Sequence, residues 1–202
     1  GQVCEDKEKR PAGCIERQVV WISRRSMAAF QREHAFVAQP FDPSNIPKHK
    51  LAENQRPTQQ NQDLYAAATE GNLDGVRSAL AAGGNANWYK NPDEGAAALH
   101  KAAEGGHAEC IQLLLQCGAV IDDRLLTNHN SPLHLACANG HLDAVELLIA
   151  ASASVNTGNS YGNAPINGAL TSGSRAVVEL LLEKGADVRW TNNKGSTLLH
   201  FL

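Results

Sequence analysis

Aromatic residues are scarce in this chain. They make up 5% of its 202 residues, against 43% hydrophobic residues in all. A core drawn from this sequence has to come from Leu, Ile, Val and Ala, as in stacked helices. Long apolar runs are missing too. No stretch approaches the roughly 18–20 apolar residues needed to span a bilayer, and no apolar run follows a basic start as in a secretory leader. The five cysteines are an odd number with no framework spacing and no Cys-x-x-Cys pair. We therefore expect reduced thiols and an intracellular chain, with the cytoplasm as its compartment.

Charge is weak and unevenly spread, with a net of −3. Residues 1–62 carry ten Lys/Arg and seven Asp/Glu, whereas residues 63–202 carry eight and fourteen. The C-terminal part has the wrong sign for a polyanion, so no nucleic-acid partner is expected. Chemical motifs are absent as well. There is no nucleophile motif, phosphate loop or paired-carboxylate signature. Gly83-Gly84 has no Lys-Ser/Thr behind it and closes a helix, and Asp122-Asp123 reads as a solvated loop pair. The histidines His100, His107, His134 and His141 recur with Cys110, Cys117 and Cys137 nearby, but without ligand spacing. Neither enzymatic activity nor a cofactor or metal is expected.

What the chain does have is self-similarity. Ala97-Ala98-Leu99-His100 is answered 34 residues later by Ser131-Pro132-Leu133-His134, then after 33 by Ala164-Pro165-Ile166-Asn167, and after another 33 by Thr197-Leu198-Leu199-His200. Gly106, Gly140 and Gly173 follow each internal copy at one offset, and Gly71 does so after Leu64. A period of 33 to 35 residues marks a solenoid, whose job is surface recognition rather than chemistry.

Three zones follow. Residues 1–38 form an N-terminal extension, with Val19, Val20, Ile22, Met27, Phe30 and Val37 on one side of a short helix. Residues 39–62 read as an extended linker, because Pro40, Pro43, Pro47 and Pro57 precede the polar run Gln59-Gln60-Asn61-Gln62. Residues 63–202 are the array, divided at about 63–96, 97–130, 131–163, 164–196 and a partial 197–202. Each repeat reads as helix, tight turn, helix and outward loop. In the third, Ser131 caps the first helix and Pro132 opens it. Leu133, Ala136 and Cys137 face inward, and Asn139-Gly140-His141 makes the turn.

These residues resemble ankyrin repeats. The resemblance rests on Ser131-Pro132-Leu133-His134-Leu135-Ala136, on Gly140-His141, and on Leu113-Leu114-Leu115-Gln116-Cys117-Gly118-Ala119. It also rests on Leu180-Leu181-Leu182-Glu183-Lys184-Gly185-Ala186-Asp187-Val188. It covers residues 63–202, and residues 1–62 resemble no family. It implies an all-α solenoid of helix-turn-helix repeats with projecting loops, preceded by a largely extended arm. It also implies a curved, non-enzymatic stack that binds proteins through its loops and concave helix face, with His100 and His134 satisfying local backbone groups. On that geometry Lys101, Glu104, Leu135 and Asn139 are contact positions.

The departures carry expectations of their own. Ala97 and Ala164 lack a capping hydroxyl, which costs on the order of 1 kcal/mol each. Ser152 replaces the usual Gly at a left-handed position, a cost of roughly 1–2 kcal/mol. Asn167-Gly168 replaces the His position and its neighbour, and a helical Gly costs about 1 kcal/mol. Repeat four is therefore expected to be the soft point. The apolar ending Phe201-Leu202 suggests that the natural chain continues.

The loops are the candidate binding elements. Trp88, Asp123, Thr157 and Trp190 occupy equivalent positions, and the first loop, Trp88-Tyr89-Lys90-Asn91-Pro92-Asp93, is the longest. Trp88, Tyr89, Lys90, Arg124, Leu125 and Trp190 are expected to project as partner anchors. Trp88 and Trp190 have a blander alternative, packing against neighbouring loops. In the arm, Trp21, Phe30, Phe36 and Phe41 are anchor candidates. If Met preceded Gly1, then Gly1 and Cys4 would be lipidation candidates, and only then is a membrane implied. The expectation is a protein-binding module, monomeric within a hetero-complex. The alternatives are a structural subunit docked through its arm, a lipid-anchored adaptor, or the regulatory part of a longer enzyme.

Overall fold

The structure is a computed structural model that describes residues 57–198. Among these residues there are eight helices, taken in pairs: α1 Gln59–Glu70 with α2 Leu73–Ala81, α3 Ala98–Gly105 with α4 Ala108–Gln116, α5 Pro132–Ala138 with α6 Leu142–Ala150, and α7 Pro165–Thr171 with α8 Arg175–Glu183. Residues 59–62, expected to belong to an extended linker, are helical. Gln59–Gln62 form the first turn of α1, because the Thr58 hydroxyl accepts from the Asn61 amide at 3.2 Å. Pro57 precedes that cap and does not obstruct it.

The aliphatic core is arranged in layers. The first helix of each pair contributes Leu64, Leu99, Leu133 and Ile166, with small Ala68, Ala102, Ala103, Ala136 and Ala169 packed between neighbouring repeats. Val76, Ile111, Leu114, Val145, Leu148, Val177 and Leu181 of the second helices close it from behind. The small residues let neighbouring first helices pack on one another more extensively than the second helices do.

Three devices tie successive repeats together, two through side chains and one through backbone. His107 and His141 lay their rings over Gly71 and Gly106, where any Cβ would overlap them. Their Nε2 atoms lie 3.2 Å from Thr69 O and 3.0 Å from Glu104 O. Asn87 bridges the next repeat by accepting from Val120 N (2.9 Å) and donating to Gly118 O (3.0 Å). Asn156 does the same with Asp187 N and Gly185 O, at 2.8 and 2.9 Å. Asp122 fills this position in the second repeat, where both its oxygens accept from Ser154. The third device is a ladder between hairpin tips: Leu126 N to Glu94 O, Ser160 N to Asn128 O and Asn193 N to Tyr161 O. Each satisfies a loop backbone group that would otherwise depend on solvent.

Three helix starts behave as expected. Ser131 Oγ accepts from His134 N at 3.4 Å, while Ala97 and Ala164 offer no side-chain cap. Ser152 adopts φ 75°. His129 (φ 57°) is a second non-glycine in that region, at a position that Gly95, Gly162 and Gly195 fill in the other hairpins. Gly168 is explained by approach: a Cβ there would lie 3.2 Å from the backbone of Ala138 on α5.

Candidate functional site

The face formed by first helices and hairpins gathers four of the residues singled out from the sequence. Lys101 and Glu104 lie on the outer side of α3, and Leu135 and Asn139 occupy the matching side of α5. Glu104 and Asn139 are exposed, whereas Lys101 and Leu135 are half-buried. Lys101 Nζ is held 2.9 Å from Glu104 and 3.8 Å from Glu94. Asn139 turns its amide back to Leu135 O at 3.0 Å.

The hairpin aromatics behave differently from the expectation of projecting anchors. Trp88 is 4% exposed and Leu125 6% exposed. They form a small second core with Tyr65 and Ala96, against which Leu135 packs. Tyr65 meets Trp88 edge-on at 6.3 Å, a geometry that suits the ring quadrupoles. Lys90 Nζ caps this cluster 5.3 Å from the Tyr65 ring centre. Trp190 is half-buried and donates from Nε1 to Gly162 O at 2.6 Å, so it packs on the preceding hairpin. Tyr89 is half-buried, its hydroxyl donating to Asp123 Oδ1 at 3.2 Å. Arg124 is half-buried, with its amide on the same oxygen at 3.0 Å.

The exposed apolar side chains on the hairpins are others. Leu126 is 54% exposed and Tyr161 61% exposed. Sequence reasoning passed over both. A signal was available at Leu125, since the positions that match it are Asn91, Asn159 and Asn192, whose side chains accept from their own loop backbone. A leucine in an Asx position has no such work to do and goes inward, which leaves its neighbour Leu126 outside.

The buried histidines are structural. His100 Nε2 faces Asp123 O at 3.0 Å, and His134 Nε2 faces Thr157 O at 3.0 Å and Asn163 O at 3.1 Å. Carbonyl partners place the proton on Nε2, which leaves Nδ1 to accept from Ala97 N or Ser131 N, both at 3.2 Å. Burial pushes both imidazoles down to about 4. Asn167 keeps half of this arrangement: its Oδ1 accepts from Ala164 N at 2.8 Å, but its Nδ2 is buried without a partner. Asp123 is not the solvated carboxylate expected from the sequence. Burial pushes its carboxyl up to about 6, a weaker acid than usual, against the smaller lowering effect of its bonds from Tyr89 and the Arg124 amide. Its Oδ2 is buried and has no hydrogen-bond partner.

Cys110 and Cys137 are free and buried. Among the described residues no group of three or more His, Cys, Asp or Glu is placed to hold a metal ion. No helix among them is long and apolar enough to cross a membrane. The arm anchors Trp21, Phe30, Phe36 and Phe41, the lipidation candidates Gly1 and Cys4, and the ending Phe201-Leu202 lie outside the described residues.

Paired helices, tight glycine turns, hairpins in register and a His that ties the first helices of repeats two and three to their loops define a helical-repeat solenoid. Residues 64–159 and 122–192 match the family described as ankyrin repeats (3 copies). That span exceeds half of the chain, and the chain belongs to the ankyrin-repeat family. Ankyrin repeats are generally protein–protein interaction modules and are typically not enzymatic. No curated protein matches the chain.

Proposed function

We propose that this array is a non-enzymatic module that binds a protein partner on the face of first helices and hairpins. The observation that supports it most is the outward row on α3 and α5. Lys101 and Leu135 sit at matching positions of α3 and α5, and Glu104 and Asn139 lie exposed at the C-terminal ends of these helices. Lys90, Tyr89 and Arg124 border this row from the hairpins, and Leu126 and Tyr161 supply exposed apolar contacts there. Trp88, Leu125 and Trp190 act from beneath, by fixing the hairpins in place. Rigid elements that present a constant surface lower the ordering cost of association.

The test is affinity capture with the full chain, read by quantitative mass spectrometry. One variant carries Lys90→Ala, Glu104→Ala and Asn139→Ala. A control carries Glu109→Ala and Glu146→Ala, exposed residues of the second helices. The first variant is expected to lose partners that the control retains. The reverse pattern would move the binding surface to the other side of the stack.

A further inference from the structure

The proposed face is divided in its charge. On repeats one and two it carries Glu70, Asp93, Glu94 and Glu104, with Lys90 and Lys101 as its cations, and Asp63 lies beside it at the N-terminal end of the stack. Both lysines are engaged: Lys90 over the Tyr65 ring, and Lys101 between Glu94 and Glu104. Among the described residues Asp63, Glu70 and Asp93 are exposed and make no ion pair. Asp63 accepts only from the neutral amide of Gln59, at 2.7 Å. Asp63 and Glu70 also line a groove with Ala66, Asn72 and Ser78. On repeats three and four the character changes. Helices α5 and α7 contain no acidic or basic residue, and neither does the hairpin segment 158–163. Leu135, Ala138, Asn139 and Thr171 offer small or uncharged groups, flanked by the exposed Leu126 and Tyr161.

From this division we infer that the partner segment taken by this face is bipartite: basic where it meets repeats one and two, uncharged and partly apolar where it meets repeats three and four. The inference rests on the interaction reading above and adds the chemistry of the occupant. Cations of the partner find carboxylates that no lysine or arginine among the described residues neutralises. Over α5, α7 and segment 158–163 a basic side chain would lose water with no carboxylate to meet it, and Arg124, Arg189 and Lys194 on the flanking segments add positive charge, so that half selects against cations. Complementarity of this kind governs encounter rate and choice of partner more than final affinity, and it weakens with salt.

Fluorescence anisotropy on the full chain tests this with two synthetic peptides. One has a Lys/Arg-rich half followed by a half of Ala, Ser and Leu. The other replaces the Lys/Arg with Glu. The basic peptide is expected to bind, and the acidic one to bind at least about tenfold more weakly. Raising salt from about 0.05 to 0.5 M should weaken the basic peptide by about tenfold. The charge-neutral variant Asp63→Asn/Glu70→Gln/Asp93→Asn should weaken it similarly and flatten the salt response. Tyr161→Ala should weaken it while keeping the salt response. All these positions are exposed, so the fold is not at stake. Equal binding of the two peptides, or no binding by either, overturns the inference. So does indifference to the neutral variant. If cellular partners still depend on Glu104 and Asn139 in that case, the face stands and only its charge assignment fails.

Discussion

At residue scale the backbone at Ser152 offers a clean test. Its φ of 75° lies where a Cβ is unwelcome, and the equivalent turns at Gly118 and Gly185 use glycine with φ 85°. Ser152 is exposed, so its side chain contributes little packing. Ser152→Gly relieves a strain of roughly 1–2 kcal/mol, and glycine's greater freedom in the unfolded chain returns part of it. The expected net gain is about 1 kcal/mol, seen as a rise in melting temperature of about 2–4 °C. A calorimetric scan showing no rise would mean that the serine conformation costs nothing here. His129 shows the other side of the same rule. It sits at φ 57°, within a hairpin whose Leu125 has already left the Asx pattern.

At the scale of elements, repeat four combines three weaknesses. Helix α7 begins at Ala164 without a hydroxyl cap, contains Gly168, and buries the Nδ2 of Asn167 without a partner. His100 and His134 use that side of the ring to reach the following loop, and Asn167 is too short to do so. Gly168 compensates in part, because it admits α7 close against Ala138. Backbone amides of α7 are therefore expected to exchange at least about tenfold faster than those of α5, a gap of about 1.4 kcal/mol in opening free energy. Equal protection of the two helices would show that the close approach at Gly168 fully offsets the lost contacts.

The same elements show what the sequence could tell. Leu133, Ala136 and Cys137 are readable as inward because helical periodicity alone fixes their side. All three are fully buried. The left-handed turns are readable because glycine recurs at the period. The start of α1 is not legible from proline density, since the deciding feature is one hydroxyl at Thr58. The burial of Trp88 depends on Tyr65, which takes the place that histidine holds in repeats two and three. An aromatic in a projecting loop reads as an anchor until its partner across the stack is known. Leu126 is harder to read, because the sign that Leu125 turns inward comes only from comparing it with Asn91, Asn159 and Asn192 of the other hairpins.

At the scale of the whole molecule, the buried histidines and Asp123 make stability depend on pH in opposing ways. His100 and His134 titrate near 4 in the folded array, against an ordinary value of 6.5, because burial disfavours the imidazolium. Between those values the unfolded chain binds protons that the folded chain refuses. Stability is therefore complete above about pH 6.5 and lost as pH falls toward 4, by about 3 kcal/mol for each histidine. Asp123 acts in the other direction. Its folded value of about 6 lies above the ordinary 3.8, so the folded array gains stability as pH falls through that interval. That gain is also about 3 kcal/mol, which leaves a net loss close to that of one histidine. Denaturant midpoints measured between pH 7 and 4.5 should fall, and Asp123→Asn should steepen the fall. The substitution should also raise stability at pH 7, where the wild-type carboxylate is charged, buried and bare on its Oδ2. If the variant and the wild-type slopes coincide, Asp123 is ionised in the folded and unfolded chains alike, and the hairpin tolerates its charge without cost.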